Sequence, residues 1–159
     1  ALACFGRTVR SLRVTILTVC LVLATAYVMN YSGMSSTLGL ALAGTGALFP
    51  VFSPLLGWVG VLLTGSDTSS NALFCSLQRA TAERLGMDPG LAVAANTSGG
   101  VAGKMVSPQS LSVAASAAGL PRGEGRLFRR VVGHSAAMAL VVSGIVLLEA
   151  TVLRGLLPR

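Results

Sequence analysis

Acidic side chains are almost missing: Asp and Glu together number 5 in 159 residues, and all charged residues make up only 11%. Soluble domains average about 25% charged residues, so this composition cannot build an ordinary water-facing surface. Aromatics are scarce at 5%, which removes the stacking platforms of a single-strand nucleic-acid binder. The one histidine is His134, and Cys4, Cys20 and Cys75 stand at no metal or redox spacing. No G-x-S-x-G nucleophile elbow occurs. These absences argue against a metal centre, a disulfide framework and the commoner hydrolase constellations. The sequence implies no cofactor and no enzyme.

What is present is apolar. Hydrophobic residues make up 53% of the chain and glycine contributes 19 positions, with a mean hydropathy of +0.76. This is the composition of an integral membrane protein, in which small residues let helices approach closely. The formal charge of +7 is grouped rather than spread. Arg7, Arg10 and Arg13 precede the first apolar run, and Arg122, Arg126, Arg129 and Arg130 precede the last. Basic clusters beside apolar spans are the positive-inside signal, so the partner they imply is a lipid bilayer and not nucleic acid. No cleavage pattern follows the first apolar run, and further apolar segments do, which argues against reading that run as a secretory signal.

In order, the chain opens ALACFGRTVRSLR without a methionine, as expected of a piece of a longer chain. A single membrane domain over 1–159 is expected. Residues 14–31 fall within the roughly 17 to 25 needed to cross hydrocarbon, with Tyr27 and Tyr31 towards the far interface. Residues 35–49 predict a short Gly-rich apolar helix ended by Pro50. Residues 51–85 predict two half-length helices around a polar tip at 64–71, which describes a re-entrant hairpin. Residues 89–120 predict a discontinuous helix with an extended polar break from Asn96 to Ser110, then a basic loop at 121–130 and a last span at 131–153. Arg79 and Arg84 favour a cytoplasmic exit for the hairpin, and Arg122 to Arg130 a cytoplasmic loop. The two agree only if residues 91–120 return to their own side.

Two polar clusters interrupt apolar surroundings: TGSDTSSN at 64–71, and NTSGG at 96–100 followed by Lys104 and SPQS. Irregular backbone at membrane depth is tolerated only where it is buried in protein or lines a wet cavity. Paired interruptions of this kind point to a carrier's substrate site. Asp67 is the only acid in the first cluster, and an ionisable residue at that depth is a functional hypothesis by default. It reads as a proton carrier, a cation ligand, or a cap on the second hairpin arm. Lys104 is the only cation in the second cluster, suited to balancing an anionic substrate or to pairing with Asp67. Ser66, Thr68, Ser69, Ser70, Asn71, Asn96, Thr97 and Ser98 supply neutral donors and acceptors, and helix amino termini add N–H groups suited to a carboxylate.

Other motifs fail. SGGVAGKM (98–105) brushes against G-x-x-x-x-G-K-[ST], but Ser98 stands where the first Gly belongs and Met105 where a Mg²⁺-binding hydroxyl is needed. Asn30-Tyr31-Ser32 and Asn96-Thr97-Ser98 match the glycosylation pattern N-x-[ST], the second inside the expected membrane core. His134 and Glu149, at the two ends of the last span, read as interfacial residues, with Arg154 near the acid.

At FSPLLGWVGVLLTGSDTSSNALF (52–74), AANTSGGVAGKMVSPQS (94–110) and AYVMNYSGM (26–34), the sequence resembles the L-lactate permease family, bacterial carriers of lactate and glycolate. Members are several times longer, and the resemblance is to their carboxy-terminal part, which implies a missing amino-terminal part as partner. It implies proton symport of a 2-hydroxy monocarboxylate across the bacterial inner membrane by a multi-pass protein. The implied fold is all-α, resembling one repeat of an ion-transporter-type inverted-repeat carrier. In that setting the hydroxyls and N–H groups of both clusters, with Lys104, would hold the carboxylate. Asn71 or Asn96 would contact the 2-hydroxyl, and Asp67 would carry the coupled proton. Rival expectations are Na⁺ coupling through the same oxygens, and a membrane assembly subunit with no site of its own.

Overall fold

The computed structural model describes residues 2–120 and 123–153, apart from some side chains of the first helix, and all regular structure among them is helical. The elements are α1 (Leu2–Tyr31), α2 (Met34–Ala43), a 3-10 turn (Gly46–Leu48), α3 (Phe49–Thr64), α4 (Asp67–Leu85), α5 (Pro89–Lys104), α6 (Pro108–Ala117) and α7 (Glu124–Thr151). Arg122, Arg154 and Arg159 lie outside the described residues, as do the side chains of Cys4 and Arg7.

Several boundaries move from those expected. Pro50 does not end the short helix; it stands in the first turn of α3, where its missing N–H costs nothing. Between Gly46 and Thr64 the chain offers 19 residues of helix. At about 1.5 Å per residue these extend about 28 Å, close to a hydrocarbon core of about 30 Å. The first arm of the hairpin is therefore long enough to cross, unlike the half-length arm expected. The same holds for α7, and these two helices are the ones among the described residues with the length and composition of a span. Arg126, Arg129 and Arg130 are not in a loop but on the opening turns of α7.

The hairpin tip is shorter than 64–71. Gly65 adopts φ 70° and closes α3, its N–H donating to the Val61 carbonyl; a left-handed residue at this position is the usual way a helix stops. Ser66 then caps α4, its Oγ accepting the Ser69 N–H at 3.3 Å. Asp67 through Asn71 are thus helical, packed in the first turns of α4.

The break expected over Asn96–Ser110 is confined to its later part: α5 runs unbroken from Pro89 to Lys104. Asn96 bonds across to α4 instead of to its own backbone, and Gly99 and Gly100 provide close approach to neighbouring elements. The interruption falls at Met105–Ser107. There Ser107 accepts the Ser110 N–H at 3.4 Å and Pro108 starts α6.

The centre of the bundle is built from α3, α4 and α5. Ser53 meets Gln78, and Gly60 meets Ser70 and Phe74, so α3 and α4 are antiparallel. Asp67 lies beside Gly100 and Asn71 beside Asn96, so α4 and α5 are antiparallel too. The helices α3 and α5 therefore run the same way, with Pro54 against Gly99 and Trp58 against Gly103. A Cβ on Gly57, Gly99 or Gly103 would overlap a backbone carbonyl across this seam. The helices touch main chain to main chain, the contact small residues permit in lipid. On the outer side α7 is pinned by Trp58 Nε1 donating to Ser135 Oγ (2.8 Å) and Ser135 Oγ donating to the Ala102 carbonyl (2.6 Å). Phe49, Met87, Leu91, Ala92, Val146 and Ala150 close one end as an apolar core.

Candidate functional site

A stripe of polar residues runs through this apolar bundle along the face of α4 that meets α3 and α5. Asp67, Asn71, Cys75 and Gln78 recur at near-helical spacing, so they share one face. Polar groups buried at this depth need partners, and most of them have found one.

The network starts on α3. The Ser53 hydroxyl donates to Gln78 Oε1 and lies 3.1 Å from the Ala92 carbonyl. Gln78 Nε2 donates to the Ser53 carbonyl at 3.1 Å and to Asn96 Oδ1 at 2.6 Å. Asn96 Nδ2 donates to Asn71 Oδ1 at 2.7 Å and lies 3.8 Å from Cys75 Sγ. Thr97 Oγ1 also donates to Asn71 Oδ1, at 3.2 Å. Ser53, Gln78 and Asn96 are each 0% exposed, whereas Asn71 is partly open. Nearby, Ser70 Oγ donates to the Gly57 carbonyl at 3.3 Å.

One turn towards the tip, Asp67 stands in the first turn of α4, where the positive end of the helix favours a carboxylate. Its Oδ1 is pressed against Gly100, sealed from the surface and without a hydrogen-bond partner. It is the one such side-chain atom among the described residues. Lys104 does not pair with it. The Lys104 ammonium donates to the Gly65 carbonyl at the end of α3 and to Gln109 Oε1 at 3.5 Å. The residue itself is exposed, not buried as a core cation. The ion pair among the described residues is Arg79–Glu83, at 2.9 Å on the surface of α4.

The two polar stretches of the sequence are therefore adjacent, at two levels. Near the tip, Gly65 faces Lys104 and Gln109; deeper in, Asn71 faces Asn96 and Thr97. Ser66 and Ser70 bond to backbone groups, and Ser69 is buried. Thr68 and Ser98 are exposed. His134 is exposed with Nδ1 at 3.2 Å from the Arg130 carbonyl, and Glu149 is half-buried. Sequence reasoning passed over Ser53 and Gln78. Gln78 adjoins Arg79 in the charged second half of α4, and its spacing from Asn71 and Asp67 puts it on their face. Two apolar clefts, about 240 Å³ beside Pro50 and Met87 and about 330 Å³ beside Leu62 and Phe128, are lined by none of the residues of the stripe. No cluster able to hold a metal ion occurs among the described residues.

The α4 amino-terminal end thus gathers hydroxyl and N–H groups beside one sealed carboxyl oxygen. The family model described as L-lactate permease matches residues 1–153. The chain is 58% identical over 153 residues to the glycolate permease of Escherichia coli, covering 96% of this chain and 27% of that protein. It is 53% identical over 158 residues to an L-lactate permease of Salmonella typhi (99% and 29%), and 53% identical over 154 residues to one of Bacillus subtilis (97% and 27%). The chain thus spans a little over a quarter of the length of these relatives. No solved structure matches it significantly.

Proposed function

Since the chain belongs to the L-lactate permease family, we propose that it forms the substrate-binding part of a carrier moving lactate or glycolate across the bacterial inner membrane by proton symport. The observation that carries this reading is the family match over 1–153, with relatives named for glycolate and L-lactate. The geometry supports it in two respects. Donors that suit a small carboxylate gather at the start of α4, and Asp67 offers a carboxyl oxygen that has no other partner. An acid so placed is costly unless it is neutral for part of its working cycle, which is what a proton carrier requires.

In this carrier the substrate carboxylate sits at the α4 amino-terminal end within reach of Asn71, Thr97 and the Ser66–Ser70 segment. Lys104 contributes positive potential from the tip. The hairpin α3–α4 and the pair α5–α6 form the membrane-embedded core of one repeat of an inverted-repeat fold, completed by further chain. The test is uptake of labelled L-lactate and glycolate into proteoliposomes holding the full-length transporter, driven by a pH gradient or by a Na⁺ gradient. Uptake rises with the pH gradient in this reading. Uptake that follows only the Na⁺ gradient overturns the proton symport, and no uptake of either acid overturns the substrate class.

A further inference from the structure

The hydrogen-bond network has a direction, and that direction ends at Asn71. A backbone carbonyl can only accept, so the contact between Gln78 and the Ser53 carbonyl must be made by Gln78 Nε2. Gln78 Oε1 then faces the Ser53 hydroxyl, which donates to it. The second N–H of Gln78 must meet an acceptor, so Asn96 turns Oδ1 towards it. Asn96 is left with Nδ2 on the other side, and Nδ2 donates to Asn71 Oδ1. The Thr97 hydroxyl donates to the same oxygen. With Oδ1 taken twice, the Asn71 amide presents Nδ2 outward. That nitrogen has no hydrogen-bond partner among the described residues, and it is not sealed away as Asp67 Oδ1 is.

Building on the carrier reading above, we propose that Gln78 and Asn96, anchored by Ser53, are positioning residues that lock Asn71 as an outward-facing donor for a carboxylate oxygen of the substrate. Asn96 itself is fully enclosed with both ends of its amide engaged, so it touches no substrate. The selection this produces is one of polarity. A group at this position must accept a hydrogen bond, and a carboxylate oxygen does so about twice as strongly as the neutral carbonyl of its amide or ester.

Asn71→Asp tests the contact with little disturbance inside. One carboxylate oxygen still accepts from Asn96 and Thr97, while the outward donor becomes an acceptor. Gln78→Met tests the relay, since it keeps the side-chain length and removes the amide that orients Asn96. In the full-length transporter, with detergent-extracted yield and monodispersity measured alongside, Asn71→Asp is expected to raise the KM for lactate about tenfold or more. Gln78→Met is expected to raise KM several-fold with Vmax nearly kept. The double variant should be no worse than Asn71→Asp alone, because Gln78 acts only through Asn71. Unchanged KM in Asn71→Asp, or multiplying effects in the double variant, overturns the relay while lactate uptake by the unsubstituted transporter stands. Absence of that uptake overturns the substrate reading and the relay with it. If Gln78→Met does not fold, Asn96→Asp takes its place, since it keeps the acceptor for Gln78 and removes the donor to Asn71; an unchanged KM there overturns the relay.

Discussion

Single residues in this chain are informative in proportion to how poorly they suit their surroundings. Asp67 was legible in the sequence because one acid in an apolar stretch is conspicuous, and so were Asn71 and Asn96. What the sequence could not supply was the division of labour between them. Asn96 is spent on Gln78 and Asn71, a role visible only once α5 is laid against α4. Lys104 misled in the opposite way. Its place between glycines and serines suggested a buried counter-charge, yet its ammonium donates to a helix-end carbonyl, because its long stem lets it cap a neighbouring helix from the edge. For Asp67 the expected outcome is specific. Replacing it by Asn keeps shape and removes the exchangeable proton, so lactate-driven alkalinisation outside the vesicles should fall at least tenfold while folded yield is kept. Unimpaired proton movement in Asp67→Asn would remove it from coupling.

Helices were legible as helices, but their ends were not. Hydropathy marks where a segment is apolar, and glycine or serine inside it reads as a break. In α5 the small residues instead let the helix lie against α3, so the feature that looked like an interruption is a packing surface. The true interruptions carry chemistry the pattern shows less plainly: Gly65 at positive φ, and Ser107 with Pro108. The seam makes a contrast that can be measured. Gly99→Ala would force a methyl into the Pro54 carbonyl and should cost about 1–3 kcal/mol, as overpacking does, read as a lower midpoint in detergent thermal unfolding. Gly144→Ala on α7, where a Cβ meets nothing within 4 Å, should be neutral or slightly stabilising. Equal destabilisation by the two would mean that α3 and α5 do not meet as described.

At the scale of the molecule, charge alone left sidedness open, and the packing shows which basic groups share an end of the bundle. The end of α7 lies with the starts of α3 and α5, as the cluster of Phe49, Met87, Leu91 and Ala150 shows. The start of α7, with Arg126, Arg129 and Arg130, lies by Leu62 and Val106 at the opposite end. Arg84, in the last turn of α4, is therefore at the other end of the bundle from Arg126. With native cysteines replaced, Arg84→Cys and Arg126→Cys should react with a membrane-impermeant maleimide from opposite sides of the membrane. Labelling from one side would show that these helices do not span together. The bond from Lys104 to Gly65 has one more consequence, and it concerns electrical work. The cation that satisfies that helix end is covalently part of the chain, so it never leaves with cargo and never enters the count of charges moved. If the only travelling ions are one proton on Asp67 and one monocarboxylate, each turnover carries no net current. Uptake under a fixed pH gradient should then be indifferent to a membrane voltage clamped with valinomycin and potassium.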